Sequence, residues 1–295
     1  MRVFVTGATG FIGSAIVQDL IATGHQVVGL ARSDEAADAL ARLGVEAHRG
    51  DLSDPESLAA GARASDGVIH TAFVHDFSNF AANVETDRRA VEAMVRAMVG
   101  SDKPLVIASG TLMASHARPA TELDAPVSLD IPRAASEAML LTAPGVRGAV
   151  VRLAPAVHDL TRAGLITGMI PAFREAGVAA YVGEGANLWP AVHRLDAARL
   201  FCLALERAKP GSRLHAAAEE GISLRAIAET IGEAFGLPVR SVTAEEAPAY
   251  FGLFAPFVGL DNPTSSAITR ETMGWRPRDA GLLADMRASK CFSTS

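Results

Sequence analysis

Thr6-Gly7-Ala8-Thr9-Gly10-Phe11-Ile12-Gly13 decides how this chain is read. Before it, the apolar residues 2–6 form the pattern of a buried strand; after it, residues 11–23 carry apolar side chains at helical spacing. Strand, glycine turn and helix in that order, with the glycines spaced GxxGxxG, make a cradle for the phosphates of a dinucleotide. Gly7 permits the tight turn, Gly10 lets the backbone approach a pyrophosphate, and Gly13 lets the helix pack closely on the strand. The free N–H groups and positive dipole of the helix start then face the phosphates. Cofactor contacts are therefore expected from Gly7, Thr9, Gly10, Phe11, Ile12 and Gly13.

Outward from this turn, short apolar runs alternate with amphipathic stretches. Strands are predicted at residues 26–31, 45–48, 67–71, 105–108 and 148–153, and helices at 58–64 and 83–99. Strands alternating with helices specify an α/β protein, a Rossmann-like doubly wound parallel sheet covered on both faces. Residues 1–160, rejoined by 190–218, are expected to form the dinucleotide-binding domain. Residues 161–189 and 219–295 are expected to form a smaller C-terminal substrate-binding lobe with an amphipathic helix at 224–235, and 287–295 reads as a frayed tail. The Phe251, Phe254 and Phe257 run either closes a pocket or fills that lobe's core.

The end of the second strand bears on which dinucleotide fits. An NAD enzyme commonly places Asp or Glu there to bind the adenosine ribose. This chain has Ala31 at that position and Arg32-Ser33 after it. A guanidinium pairs with a 2′-phosphate and a hydroxyl adds a bond, so the expected cofactor is NADP(H), held in part by Arg32 and Ser33.

Composition narrows the classes. The 295 residues are 49% hydrophobic and 20% charged, which supports a sizeable core. The 27 Lys plus Arg against 33 Asp plus Glu are scattered, which argues against a nucleic-acid partner. No apolar run approaches the roughly 20 residues that span a bilayer, and no membrane partner is expected. Two cysteines, Cys202 and Cys291, make no disulfide framework and fit a reducing cytoplasm. No His/Cys/Asp/Glu spacing indicates a metal site.

Further segments give the chain a family resemblance. It resembles the short-chain dehydrogenase/reductase superfamily in its extended, epimerase/dehydratase-like branch. Gly50-Asp51-Leu52 is similar to the family's adenine-binding pair, and Val68-Ile69-His70-Thr71-Ala72 to the fourth-strand segment beside the cofactor ribose. Ser109-Gly110-Thr111 ends the fifth strand, where relatives carry the catalytic Ser/Thr. Val151 to His158, with Pro155 and Val157, looks like the segment lining the nicotinamide, and Trp189 to Asp196 resembles the branch's later VHVDD-like marker. The resemblance implies cofactor contacts from Asp51, Leu52, Thr71, Ala72, Phe73, Pro155 and Val157. It implies substrate contacts from Met113, Phe73 and the loop from Tyr181 to Trp189. Residues 83–99 and 134–143 resemble helices that pair in dimers of the superfamily, so both a monomer and a homodimer stay open.

One departure outweighs the matches. The superfamily works with Tyr-x-x-x-Lys on the helix after the fifth strand; here Arg133 stands in the place of the Tyr and Glu137 in that of the Lys. Arginine has no proton to give up, although it stabilises negative charge developing on an oxygen. Glu137, one turn on, is a candidate acceptor for the nicotinamide ribose hydroxyls. Thr111, with Ser109 beside it, is a candidate to orient a carbonyl oxygen, and His158 titrates in a useful range. His70 is expected beside the cofactor, His193 in structural bonding, and His75-Asp76 as a loop pair. The leading expectation is an NADPH-dependent oxidoreductase acting on a small, fairly apolar ketone, aldehyde, enone or quinone. The alternatives are a non-catalytic NADP(H)-binding redox sensor and a nucleotide-sugar-type epimerase or dehydratase.

Overall fold

The apolar alternation at the N-terminus becomes the centre of a sheet. Val3 and Val5 point to one face and Phe4 to the other, and all three are fully buried. In the computed structural model, which describes residues 1–74, 79–114, 118–128 and 132–289, the chain runs β1 (Arg2–Thr6), α1 (Phe11–Ala22), β2 (Gln26–Ala31), α2 (Asp34–Ala41), β3 (Glu46–Arg49), α3 (Pro55–Arg63), β4 (Gly67–His70), α4 (Phe80–Met98), β5 (Pro104–Gly110), α5 (Pro132–Leu141) and β6 (Arg147–Leu153). It continues β7 (Ala156–Asp159), β8 (Arg162–Ala163), α6 (Gly164–Ala176), β9 (Ala179–Val182), β10 (Leu188–His193), α7 (Arg194–Arg207), β11 (Ser212–Ala216), β12 (Glu219–Ser223), α8 (Leu224–Phe235) and β13 (Val239–Val242). Four short helices complete it, α9 (Ala247–Phe251), α10 (Ala255–Val258), α11 (Ala267–Met273) and α12 (Leu282–Ala288). The His75-Asp76 pair and Cys291 lie outside the described residues.

Seven strands form the main sheet in the order β11-β6-β5-β4-β1-β2-β3, every neighbouring pair parallel. The order reverses between β1 and β4, and in such sheets the ligand crevice lies outside the carboxyl ends of the strands at that reversal. The face carrying Val3 and Val5 is covered by α1 and α7, which contribute Ile16, Leu20, Leu200 and Phe201. The face carrying Phe4 is covered by α3, α4 and α5, through Leu58, Val91, Met94 and Leu140.

A second core lies beside the first. A four-stranded sheet, β12-β10-β7-β8, and the parallel pair β13-β9 pack with α6, α8, α9 and α12 around Ile166, Phe173, Trp189, Ile227 and Phe251. β7 follows β6 after two residues, yet its hydrogen bonds are to β8 and β10, so the chain changes sheets at Ala154-Pro155. Phe251 is fully enclosed in this core and Phe254 and Phe257 pack on its edge, which resolves the Phe-rich run toward core filling. Of the expected frayed tail, residues 287–289 are ordered and 290–295 lie outside the described residues. Residues Arg287 and Ala288 finish α12, and the buried Ser289 donates to the Leu160 carbonyl.

The third glycine of the opening turn packs directly on backbone. A Cβ on Gly13 would stand 1.9 Å from the Gly7 carbonyl oxygen, with backbone rather than a yielding side chain in the way. Gly13→Ala is therefore expected to cost about 1–3 kcal/mol of stability through overpacking. Urea denaturation of the variant beside the wild type measures that loss.

Candidate functional site

The crevice is built first from backbone. Gly7 has φ of +70°, a conformation in which L side chains are strained, and a Cβ there would meet Ala72 N at 2.8 Å. The turn thus needs glycine both for its dihedral and for its approach to the end of β4. Gly10 caps α1 with no side chain accepting its free N–H groups, and the first turn of the helix holds no acid. A Cβ on Gly10 would meet only the Gly7 backbone, its carbonyl oxygen at 3.1 Å, so the other side of this glycine is open. An exposed helix start without a neutralising acid fits a phosphate group. Thr9 and Gly10 are exposed, Phe11 and Ile12 half-buried.

Around this turn the ends of β1 and β4 are stitched together by polar groups with almost no access to solvent. Thr6 Oγ1 is 2.7 Å from His70 Nδ1, and His70 Nε2 is 3.2 Å from Asp87 Oδ1 on α4. The tautomer that satisfies both has Thr6 donating to Nδ1 and Nε2–H donating to the carboxylate. Thr71 Oγ1 donates to the Thr6 carbonyl and Ala72 N donates to Thr6 Oγ1. His70 thus sits beside the crevice as expected, whereas Asp87 was missed. Its signal in the sequence is a carboxylate three residues after Val84 and four before Val91, inside an apolar stripe that requires a buried partner.

Arg133, on α5, reaches the same region. Its Nη2 donates to the Ala108 carbonyl at the end of β5 (2.9 Å), its Nε is 4.0 Å from Asp87 Oδ2, and its guanidinium carbon lies 4.6 Å from the centroid of the Phe73 ring. Phe73 in turn meets Phe80 edge to face. The structure therefore brings Arg133, Phe73, Thr71 and Ala72 together at the carboxyl ends of β4 and β5. Ser109 is nearly buried close by, with its hydroxyl 3.9 Å from Met113 Sδ. Ala31 is buried at the end of β2 and Arg32 beyond it is exposed. Asp51 accepts from Ser53 N and Oγ; those bonds, with the nearby Arg32 charge, hold its carboxyl below the ordinary range. Leu52 is buried next to it, and Pro155 and Val157 line the change of sheets after β6.

Four expectations are corrected by where the side chains go, and a fifth candidate, Ser33, has its hydroxyl already engaged. Glu137 does not face a ribose: it is 1% exposed, and both its oxygens accept from Arg152, at 3.1 and 2.8 Å. Arg152 has no exposure at all, so its charge requires that partner. Thr111 is fully buried, donating to Asn262 Oδ1 at 2.7 Å while Asn262 Nδ2 donates back to its carbonyl, so the hydroxyl clamps residues 111 and 262 together. His158 is 1% exposed and holds Asp285 on α12 through Nδ1 (2.8 Å), within the second lobe. Trp189 is fully enclosed in that lobe's core, its Nε1 donating to the Leu260 carbonyl, and offers nothing to a substrate. Ser33 caps α2, accepting from Ala36 N and donating to Glu35, so a phosphate would have to compete for its hydroxyl.

The other two substrate candidates differ in setting. Met113 is buried beside the end of β5, while Tyr181 lies on β9 under the Arg225 guanidinium, away from the Arg133 group in every contact it makes. His193 is structural as expected, accepting from Leu195 N at the start of α7. Among the described residues no cluster of His, Cys, Asp and Glu suits a metal ion, and no helix is long and apolar enough to cross a membrane.

Comparison with known proteins places this geometry. The family model described as the NAD dependent epimerase/dehydratase family matches residues 3–216. Two fungal proteins match over nearly their whole length. "Uncharacterized protein C2A9.02" of Schizosaccharomyces pombe is 44% identical over 99% of this chain and 100% of its own. "Uncharacterized protein YLL056C" of Saccharomyces cerevisiae is 45% identical over 98% and 99%. Among solved structures, the UDP-glucose 4-epimerase of Thermus thermophilus in complex with NAD superposes with a TM-score of 0.73 at 22% identity, covering 99% of each chain. That likeness concerns the fold.

Two predictions follow from the buried charges. Glu137→Ala is expected to cost about 3–5 kcal/mol, because it strands a guanidinium in the interior, whereas Glu137→Met with Arg152→Met costs much less; urea denaturation of the two variants compares them. Burial pulls the His158 and His215 pKa values below their ordinary range, against the opposing effects of Asp285 and of the Ser265 carbonyl. The unfolded chain then binds more protons than the folded one as pH falls below about 6.5, and stability declines through that window. His158→Gln is expected to flatten part of that decline in urea midpoints measured from pH 7.5 to 5.5.

Proposed function

This chain belongs to the NAD dependent epimerase/dehydratase family, and from that premise we propose that it is an NADPH-dependent oxidoreductase. Its substrate class is a small, fairly apolar carbonyl or conjugated compound. The observation that carries the reading is Arg133, a guanidinium fixed by Ala108 and Phe73 at the carboxyl edge of the sheet in the position of the family's tyrosine.

The residues that would hold the dinucleotide are the Gly7–Gly13 turn for the pyrophosphate, Asp51 and Leu52 for the adenine, and Thr71, Ala72, Pro155 and Val157 toward the nicotinamide. The bound nicotinamide would supply the hydride. Arg133 does not release a proton, so its part is electrostatic: a fixed positive donor aimed at the oxygen on which negative charge develops. Water then delivers the proton, because Thr111 is committed to Asn262 and Glu137 to Arg152. NADP(H) rather than NAD(H) is supported by the end of β2, where Arg32 is exposed and Ala31 stands where an NAD enzyme commonly places a carboxylate. Those same commitments of Thr111 and Glu137 also favour a second reading, a protein that binds NADP(H) without turnover and reports its redox state.

Purified protein is assayed for NADPH oxidation across ketones, aldehydes, enones and quinones, with NADH in parallel. Turnover that falls at least tenfold in Arg133→Met, with NADPH binding kept, is the expected result. Tight NADPH binding with no turnover anywhere in the panel moves the weight to the sensor. Arg32→Ala is expected to weaken NADPH about ten- to a hundredfold, the range of a charged hydrogen bond, and to leave NADH unchanged; equal effects on both would remove the NADP argument.

A further inference from the structure

Phe11, the first residue of α1, carries two guanidinium groups on its ring, and both come from elements outside the glycine turn. The Arg194 guanidinium carbon lies 5.0 Å from the ring centroid and that of Arg162 lies 5.6 Å from it. Arg194 opens α7; its Nη1 donates to the Phe11 carbonyl at 3.4 Å and its Nε stands 3.1 Å from Asp159 Oδ2. Arg162 lies on β8, directly opposite Asp159 in the antiparallel pair with β7. Asp159 Oδ1 accepts from Thr161 N and Oγ1, at 2.7 and 2.6 Å, which fixes the tight turn that presents Arg162. One buried carboxylate therefore anchors Arg194 and shapes the turn beneath Arg162.

The charges at this spot do not balance. Asp159 offers one negative charge to two guanidinium groups, and Arg162, exposed, has no carboxylate partner among the described residues. The start of α1 adds positive potential to theirs, since its free N–H groups have neither a side-chain cap nor an acid in the first turn. Two cations and a bare helix start, gathered around one aromatic ring, make a site for an anion. Arginine suits a diphosphate in particular, because its planar fork can hold two oxygens at once and the Phe11 face orients that plane.

We propose that Arg162 and Arg194 form a clamp over the pyrophosphate of the bound dinucleotide, opposite the backbone N–H groups of the glycine turn. The inference rests on the dinucleotide reading above and adds to it a contribution from the second sheet. The cofactor is then gripped by both lobes, by the turn after β1 and by the β7–β8 hairpin with the start of α7. Binding of the dinucleotide also stabilises the junction between the two lobes.

The test is calorimetric titration of NADPH and NADH into the wild type, Arg162→Ala, Arg194→Ala and Arg194→Lys. Adenosine 2′-monophosphate, which lacks the pyrophosphate, is titrated in parallel, or adenosine if NADH is the tighter dinucleotide. Each alanine variant is expected to lose about tenfold or more in dinucleotide affinity, with the lysine variant between, while the fragment binds all four proteins alike. Arg162 makes no ion pair among the described residues, so Arg162→Ala should fold as the wild type does and carries the test even if Arg194→Ala loses stability with its Asp159 contact. Dinucleotide affinity equal in the wild type and Arg162→Ala overturns the clamp alone. A matching loss for the fragment also overturns it, since the arginines would then act only as a diffuse field. A wild type that binds neither dinucleotide overturns the cofactor reading and the clamp with it.

Discussion

A guanidinium cut off from solvent must find every partner inside the protein, and in this chain that requirement falls on Arg152 of β6, which has no exposed surface. Glu137 takes its Nε and Nη2, while Nη1 donates to the Asp124 carbonyl and lies 3.5 Å from His215 Nε2. Four separate pieces of chain are drawn to one charge: α5, the loop through Asp124, β6 and β11. His215 carries the connection outward, since its Nδ1 meets the Ser265 carbonyl and its backbone N donates to Thr269, whose hydroxyl donates to the buried Glu122. The segment around residues 262–269 is thereby fastened to the far edge of the main sheet.

That fastening governs the site. Arg133 lies one helical turn before Glu137, so clamping Glu137 to Arg152 fixes the rotation of α5 and aims Arg133 at the end of β5. Arg133 and Glu137 are divided in setting as a result. The first member is delivered to the carboxyl edge of the sheet, where Phe73 supports it, and the second is withdrawn into the interior as a counter-ion. Thr111 is withdrawn in the same manner by Asn262, so its hydroxyl is committed inside the protein.

The buried Thr6–His70–Asp87 chain performs a complementary task on the other side of the reversal point. It ties β1, β4 and α4 together directly beneath the glycine turn, where Gly7 and Gly13 already bring backbone within contact distance. The Arg152 cluster contributes to the acid sensitivity of folding stability, since His215 is part of it and burial disfavours its charged form.

The sequence by itself determined the doubly wound sheet, because both of its signals are local. Two-residue alternation in short apolar runs and the GxxGxxG spacing each act within about ten residues, and neither needs a distant partner to be read. Helices α2 and α6 went unread because each depends on context: α2 is short and begins at the Ser33 cap, and α6 carries Pro171 within it. Only the tertiary structure decided what Glu137, Thr111, His158 and Trp189 do. Each is a group whose role is set by a partner 15 to 151 residues away, in Arg152, Asn262, Asp285 and Leu260. No window along the chain contains such pairs. A polar residue's chemistry follows from whether burial leaves its donors and acceptors free or spends them, and burial is a property of the folded chain.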